Sequence, residues 1–194
     1  MINSAHVNML NLHEPIWSFV GLEDARLVQW DNKYYLIGVR RDTTTNGQGR
    51  MEYSCIDIDK KNWSINEISR IRIPSPGPND SYCEKNWVPI ADKPYHFIKW
   101  ANPVELVKAY PNIEKCEQIS LRQGLVPPLD QRGGSQVIRW GNVYISITHD
   151  VVLFKNYLVQ KDAIYKHRLL VWDDTFNLVG ISKQFSFLDA RIEF

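Results

Sequence analysis

Ala25-Arg26-Leu27-Val28-Gln29-Trp30-Asp31-Asn32-Lys33-Tyr34-Tyr35-Leu36-Ile37-Gly38-Val39 is the stretch on which the fold turns. Apolar, aromatic and β-branched residues flank a polar turn, Asp31-Asn32-Lys33, and that pattern predicts an antiparallel hairpin. The grammar recurs in Ser135-Gln136-Val137-Ile138-Arg139-Trp140, which turns at Gly141-Asn142 into Val143-Tyr144-Ile145-Ser146-Ile147-Thr148. Trp30 and Tyr34 are in phase with Trp140 and Tyr144. A middle copy runs Asn86-Trp87-Val88-Pro89-Ile90, turns at Ala91-Asp92-Lys93-Pro94, and continues through Tyr95 to Trp100. There Ile90 stands where the other copies have Trp.

Outward from these hairpins, Arg50 to Asp57 alternates, with Met51, Tyr53, Cys55 and the Ile56/Ile58 side as candidate core positions. Lys60-Lys61-Asn62 turns that strand into Trp63 to Ile73. Further strands are expected near 104–110, 116–121, 164–172 and 178–187. Pro74-Ser75-Pro76-Gly77-Pro78-Asn79-Asp80 and Pro127-Pro128-Leu129-Asp130 break the chain, because proline cannot continue a sheet ladder. The result is an internal repeat of units near 21–73, 84–124 and 132–187. Each holds four strands, the size of one β-propeller blade. Closed propellers hold roughly 4 to 8 blades. The expectation is therefore an all-β, incomplete propeller over 1–194, with Leu188 to Phe194 beginning a further strand. A second copy or a covalently fused chain would complete it. A β-sandwich is the alternative, since hairpin spacing alone does not exclude it.

Composition bounds the function. The chain has 194 residues, 44% hydrophobic and 12% aromatic, with Lys+Arg 23 against Asp+Glu 22. So even a balance gives no cationic surface for nucleic acid or an anionic membrane. No apolar run approaches the roughly 20 residues of a membrane span. Met1-Ile2-Asn3-Ser4-Ala5-His6 lacks the basic and apolar regions of a signal peptide. Cys55, Cys83 and Cys116 are widely spaced and make no CxxC pair. These features point to a reduced, cytoplasmic setting with no metal site. Walker, GxGxxG, GxSxG and HExxH patterns are absent, which argues against the chemistries those motifs serve. Seven Trp and nine Tyr suit an all-β core, a sugar-stacking surface, or both.

Polar clusters open all three units: Gly21-Leu22-Glu23-Asp24-Ala25-Arg26, Glu84-Lys85-Asn86-Trp87 and Arg132-Gly133-Gly134-Ser135. Blades related by rotation bring such strand starts to one axis. Strand alternation places Asp24 and Arg26 on one side and Glu23 on the other. Asp24 can then act as general acid or base beside a substrate-orienting guanidinium, or the two form a structural ion pair. Gly133-Gly134 permits close ligand approach or a tight turn, and Arg132 suits an oxyanion. His149-Asp150 occupies the position of Arg41-Asp42 in the first unit. That histidine can meet phosphate or a sugar hydroxyl, or sit satisfied in the structure.

Gly21-Leu22-Glu23-Asp24-Ala25-Arg26-Leu27, with its hairpin ending at Arg40-Arg41-Asp42, resembles the Gly-x-Glu-Asp-Pro-Arg segment of five-bladed β-propeller mannoside phosphorylases. Those in turn are similar to β-1,2-mannosyltransferases and, more distantly, to five-bladed furanosidase-type glycosidases. Ala25 departs from the pattern's proline. Glu84 to Pro89, Arg132 to Ser135 and Ile192-Glu193-Phe194 resemble later blade signatures of a related branch. The resemblance implies a carbohydrate-active propeller acting on a mannosyl-type linkage, as phosphorylase, hydrolase or glycosyltransferase. It implies Asp24 as the acid that protonates the glycosidic oxygen, with Glu23 and Arg26 close to the sugar. Arg40, Arg41, Arg132 and His149 are implied ligands of phosphate or leaving-group oxygens. Lys85 and Asn86 are implied to line the subsite together with Gly134 and Ser135, and Trp87 either stacks on a pyranose or fills the core. Inorganic phosphate is the implied co-substrate. A hydrolase would need a second carboxylate to activate water, for which Glu84 and Asp150 are the candidates. A glycan-binding or scaffolding module without turnover is the competing expectation.

Overall fold

The computed structural model describes residues 6–74, 83–113, 115–122 and 131–187. Every regular element among them is a strand. The first sheet is a meander of β2 (Leu22–Trp30), β3 (Lys33–Arg40), β4 (Arg50–Asp59) and β5 (Ser64–Arg72). Its outer edge is extended by β1 (Val7–Asn8), which runs parallel to β5. The second sheet follows as β6 (Val88–Pro89), β7 (His96–Ala101), β8 (Val104–Tyr110) and β9 (Lys115–Arg122). In the third, β10 (Arg132–Gly133) and β11 (Ile138–Trp140) both pair with β12 (Val143–Lys155). The sheet then continues through β13 (Lys161–Trp172) and β14 (Leu178–Ile181). The molecule is therefore all-β, with three sheets in chain order. Both Pro-rich breaks, apart from Pro74, and the expected strand at 188–194 lie outside the described residues.

Turn chemistry explains the first hairpin. Asp31 and Asn32 both adopt left-handed backbone, with φ of 48° and 60°. Such a turn matches the twist of the strands it joins, and Asp and Asn tolerate it best after glycine. The corresponding turn of the third sheet uses Gly141 at φ 58°.

Two apolar clusters hold the sheets together. The first joins Val28, Trp30, Tyr35, Ile37, Met51 and Tyr53 of the first sheet to Phe97, Val107 and Ala109 of the second, with Trp87 just before β6. The second joins Val88, Ile98, Val104 and Leu106 to Tyr144, Leu170, Trp172 and Leu178 of the third. The middle sheet thus packs on both neighbours. Trp30 ties the first pair further, its indole Nε1 donating to the Ile90 carbonyl at 2.9 Å. Ile90 in turn makes an isolated parallel bridge to Val137.

The side chains facing away from the middle sheet differ between the two ends. On the first sheet the far side is polar: Arg40 donates to Glu52 at 2.8 Å and to Asp42 at 3.0 Å, and Arg72 to Glu52 at 3.0 Å. Glu67, held low in pKa by Arg70 and Ser54 against the upward push of burial, extends this network. The segment 9–21 straps across it. Leu10 N–H donates to Glu67 at 2.6 Å, Gly21 N–H to Asp42 at 2.8 Å, and Trp17 Nε1 to the Thr44 carbonyl at 2.8 Å.

Four features depart from expectation. Asp24 and Arg26 do not simply alternate, because the pairing of β2 with β3 shifts between Glu23 and Arg26. The extra residue makes a β-bulge, and Asp24 takes a φ of 51° within it. Gly38 accommodates the bulge, since a Cβ there would lie 2.7 Å from the Glu23 carbonyl oxygen. Trp140, whose phase with Trp30 marks it as a blade-core position in the sequence, is 70% exposed, whereas Trp30 is 1% exposed. β12 and β13 extend well past the expected strand ends and pair as far as Lys155 with Lys161. Finally, Trp63, expected to open a strand, sits in the turn before β5 at φ 52°.

Candidate functional site

The starts of the three sheets come together at one place. Gly133 packs so tightly on the second sheet's entry that a Cβ there would lie 2.0 Å from the Asn86 carbonyl oxygen. Arg26 reaches across from β2, its guanidinium donating to the Gly134 carbonyl and, at 3.3 Å, to that of Gly133. It also donates to the Asp24 carbonyl oxygen at 3.0 Å, so it stitches the bulge to β10. Arg132 is paired with His149 across β10 and β12. A cavity of about 180 Å³ opens beside this junction. Glu84, Lys85, Asn86 and Trp87 line it from the second entry, Arg132 and Gly133 from the third, and Lys99 and Trp100 from β7, with Cys83 at its side.

Each lining group has a distinct role. Glu84 is buried and accepts from Trp87 Nε1 at 2.9 Å and from Lys99 Nζ at 2.9 Å. Lys99 also lies 5.4 Å from the Trp87 ring centre. Trp87 is 1% exposed and belongs to the core, so its indole face is not offered to a ligand. Trp100 lines the same cavity with an exposed indole. It stands where the pairing of β7 with β8 shifts, a local irregularity that re-aims side chains. Asn86 holds a φ of 63°, and its Oδ1 is buried with no hydrogen-bond partner. A strained backbone beside an unsatisfied buried acceptor is the combination expected where a ligand completes the structure.

Electrostatically the junction is cationic: Lys85, Lys99 and Arg132 face a single lining carboxylate, Glu84. His149 registers this field. Burial first, then the charges of His167, Arg132, Arg26 and Lys85, push its pKa down from 6.5 to about 4. It is therefore a neutral imidazole near pH 7. The pairing of Arg132 with His149, the bonds of Arg26 to Gly133 and Gly134, and the shared lining of Lys85 and Arg132 place these four groups in one neighbourhood.

Other expected site residues are placed elsewhere or are otherwise engaged. Arg40 is buried in the network with Glu52 and Asp42, which leaves it no path to an oxyanion. Arg41 donates to the Gly47 carbonyl at 2.9 Å and stacks 4.7 Å from the Phe19 ring centre. Ser135 Oγ accepts from the Ile147 N–H at 2.9 Å and contacts Ser146. Asp150 accepts from Gln131 and, at 2.7 Å, from Gln184. Glu23 and Asp24 are exposed on the bulge, next to Arg26 but not among the cavity's lining residues. Lys99 and Trp100 were not anticipated. They lie in the middle of a strand, and no motif or turn marks them in the sequence.

Among the described residues there is no group of His, Cys, Asp and Glu suited to a metal ion, and no helix long and apolar enough to cross a membrane. No family model, no curated protein and no solved structure matches this chain.

Proposed function

We propose that the chain is a carbohydrate-active β-propeller module that takes a glycan and an oxyanion such as phosphate at the junction of its sheets. The observation that carries the reading is a small, cationic cavity, lined by the second and third strand starts and presenting an exposed indole, beside the point where Arg26 of the first joins them. Trp100 suits stacking on the apolar face of a pyranose. Asn86, with its buried unsatisfied amide oxygen, suits a sugar hydroxyl. Arg132 and Lys85 suit the phosphate, the guanidinium through paired donors and the ammonium as a point charge.

In this reading Asp24 protonates the departing glycosidic oxygen, and Arg26 fixes the bulge that carries it. Phosphate or a second sugar is favoured over water as the acceptor. Hydrolysis with inversion needs a second carboxylate free to activate water. Glu84 is bound to Lys99 and Trp87, and Asp150 to two glutamines. The test is release of sugar phosphate from manno-oligosaccharides in the presence of inorganic phosphate. Asp24→Asn is expected to abolish it with the fold unchanged, and unaltered turnover in that variant would remove Asp24 from the mechanism.

The second reading, glycan binding without turnover, is favoured by the position of Asp24 outside the cavity lining. Saturable binding that Trp100→Ala weakens, with no product under any acceptor condition, would decide for it.

A further inference from the structure

Each sheet has a front, carrying the residue at the Trp30 position, and a back. The front of the first sheet is covered by the second, and Trp30 there is buried with its N–H bonded to Ile90. The front of the second sheet, where Ile90 takes the same position, is covered by the third. On the third sheet that position is Trp140, which is exposed. The cross-strand pairs beside it, Ile145 with Val171 and Ile147 with Leu169, share its side of the sheet and are only half-buried. A sheet face that apolar is built to be covered.

We propose that the front of the third sheet docks on the strap-covered back of the first sheet of a second copy of this chain. Two such contacts make a closed head-to-tail pair. The stacking already seen twice within the chain, front of one sheet on the back of the next, is then extended across the two copies, with the 9–21 strap at the seam. The far end is suited to receive it. Leu27, which pairs with Leu36 on the back of the first sheet, is exposed, and so are Ile16 and Val20 of the strap.

Charge agrees. Residues 6–25 contain Glu14, Glu23 and Asp24 and no Lys or Arg. The long β12–β13 hairpin at the opposite end carries Lys155, Lys161, Lys166 and Arg168 against Asp150 and Asp162. Opposite charges at opposite ends favour a head-to-tail contact over end-to-same-end pairing. The pair assembles six sheets, within the roughly 4 to 8 of closed rings. The inference rests on sheet stacking and is independent of the sugar chemistry.

Sedimentation of the full chain tests it, with an expected mass of about 45 kDa, twice the chain's 22.7 kDa. Trp140→Glu and Leu27→Lys are both at exposed positions, and each alone is expected to shift the protein to the single-chain mass. An equimolar mixture of the two is expected to restore the pair, because it contains one unaltered contact and one with Glu opposite Lys. A single-chain mass for the unaltered protein overturns the proposal. So does a pair that Trp140→Glu breaks and Leu27→Lys does not, since that is front-to-front docking. A mixture that fails to restore the pair overturns it as well.

Discussion

Gly133→Ala is the sharpest probe of the junction. The added methyl carbon would sit 2.0 Å from the Asn86 carbonyl oxygen, 2.6 Å from Val88 Cγ1 and 3.1 Å from the Asn86 carbonyl carbon. A carbon and a carbonyl oxygen approach no closer than about 3.3 Å even in favourable C–H···O contacts, so the two backbones must part by more than about 1 Å. The obstructing atom belongs to the main chain, which cannot swing aside as a flexible side-chain tip can. Inserting a methyl into packed structure costs about 1–3 kcal/mol, and a main-chain clash belongs at the upper end. In a chain of this size each kcal/mol lowers Tm by about 2–4 °C, so a loss of roughly 6–12 °C is expected. Thermal unfolding followed by tryptophan fluorescence measures it. Gly180→Ala is the control: its nearest neighbour would be Val171 Cβ at 3.4 Å, an ordinary contact, and replacing a strand glycine there is neutral or slightly stabilising. Equal melting of the two variants would refute the close approach of β10 to Asn86, and with it the convergence on which the site depends.

Three further outcomes follow from the charged and titratable groups. Glu52→Ala leaves Arg40 buried without its 2.8 Å partner and removes the 3.0 Å contact to Arg72, which should cost about 3–5 kcal/mol in urea unfolding. The His149 imidazole has its pKa depressed to about 4 in the folded chain. The unfolded chain therefore binds the proton first as pH falls. Stability is full above about pH 6.5 and declines between there and pH 4, by about 3 kcal/mol, and His149→Gln should remove that part of the slope. Cys83 is exposed at the cavity, whereas burial pushes the Cys116 thiol up to about 12. Iodoacetamide near neutral pH should label Cys83 and spare Cys116, and a bound glycan should protect Cys83; mass spectrometry of the labelled chain reports both.

The hairpins were legible because their signals are local. Alternation and the Asp31-Asn32 and Gly141-Asn142 turns place β2 to β3 and β11 to β12, and β8 falls on the expected 104–110. The long β12–β13 hairpin was missed because its tip, 156–160, has neither glycine nor proline to announce a turn. The site was legible in part. Lys85, Asn86 and Arg132 were singled out as strand starts of repeated units, and His149 by its match to the Arg41-Asp42 position in the first unit. Arg40 was misassigned because nothing local distinguishes an arginine aimed at a ligand from one that meets Glu52 twelve residues later on a neighbouring strand.

By itself, the sequence determined which residues share a face, since a strand's period of two is a property of the backbone. It did not determine what covers that face. Trp30 and Trp140 hold equivalent positions in equivalent hairpins, yet one is buried under the second sheet and the other stands open. Burial is decided by the next sheet in the stack, and that is a relation between segments far apart in the chain. The same holds for Asp24, whose direction is set by a bulge packed on Gly38, and for the cavity itself, which forms where the entries of the second and third sheets meet β7.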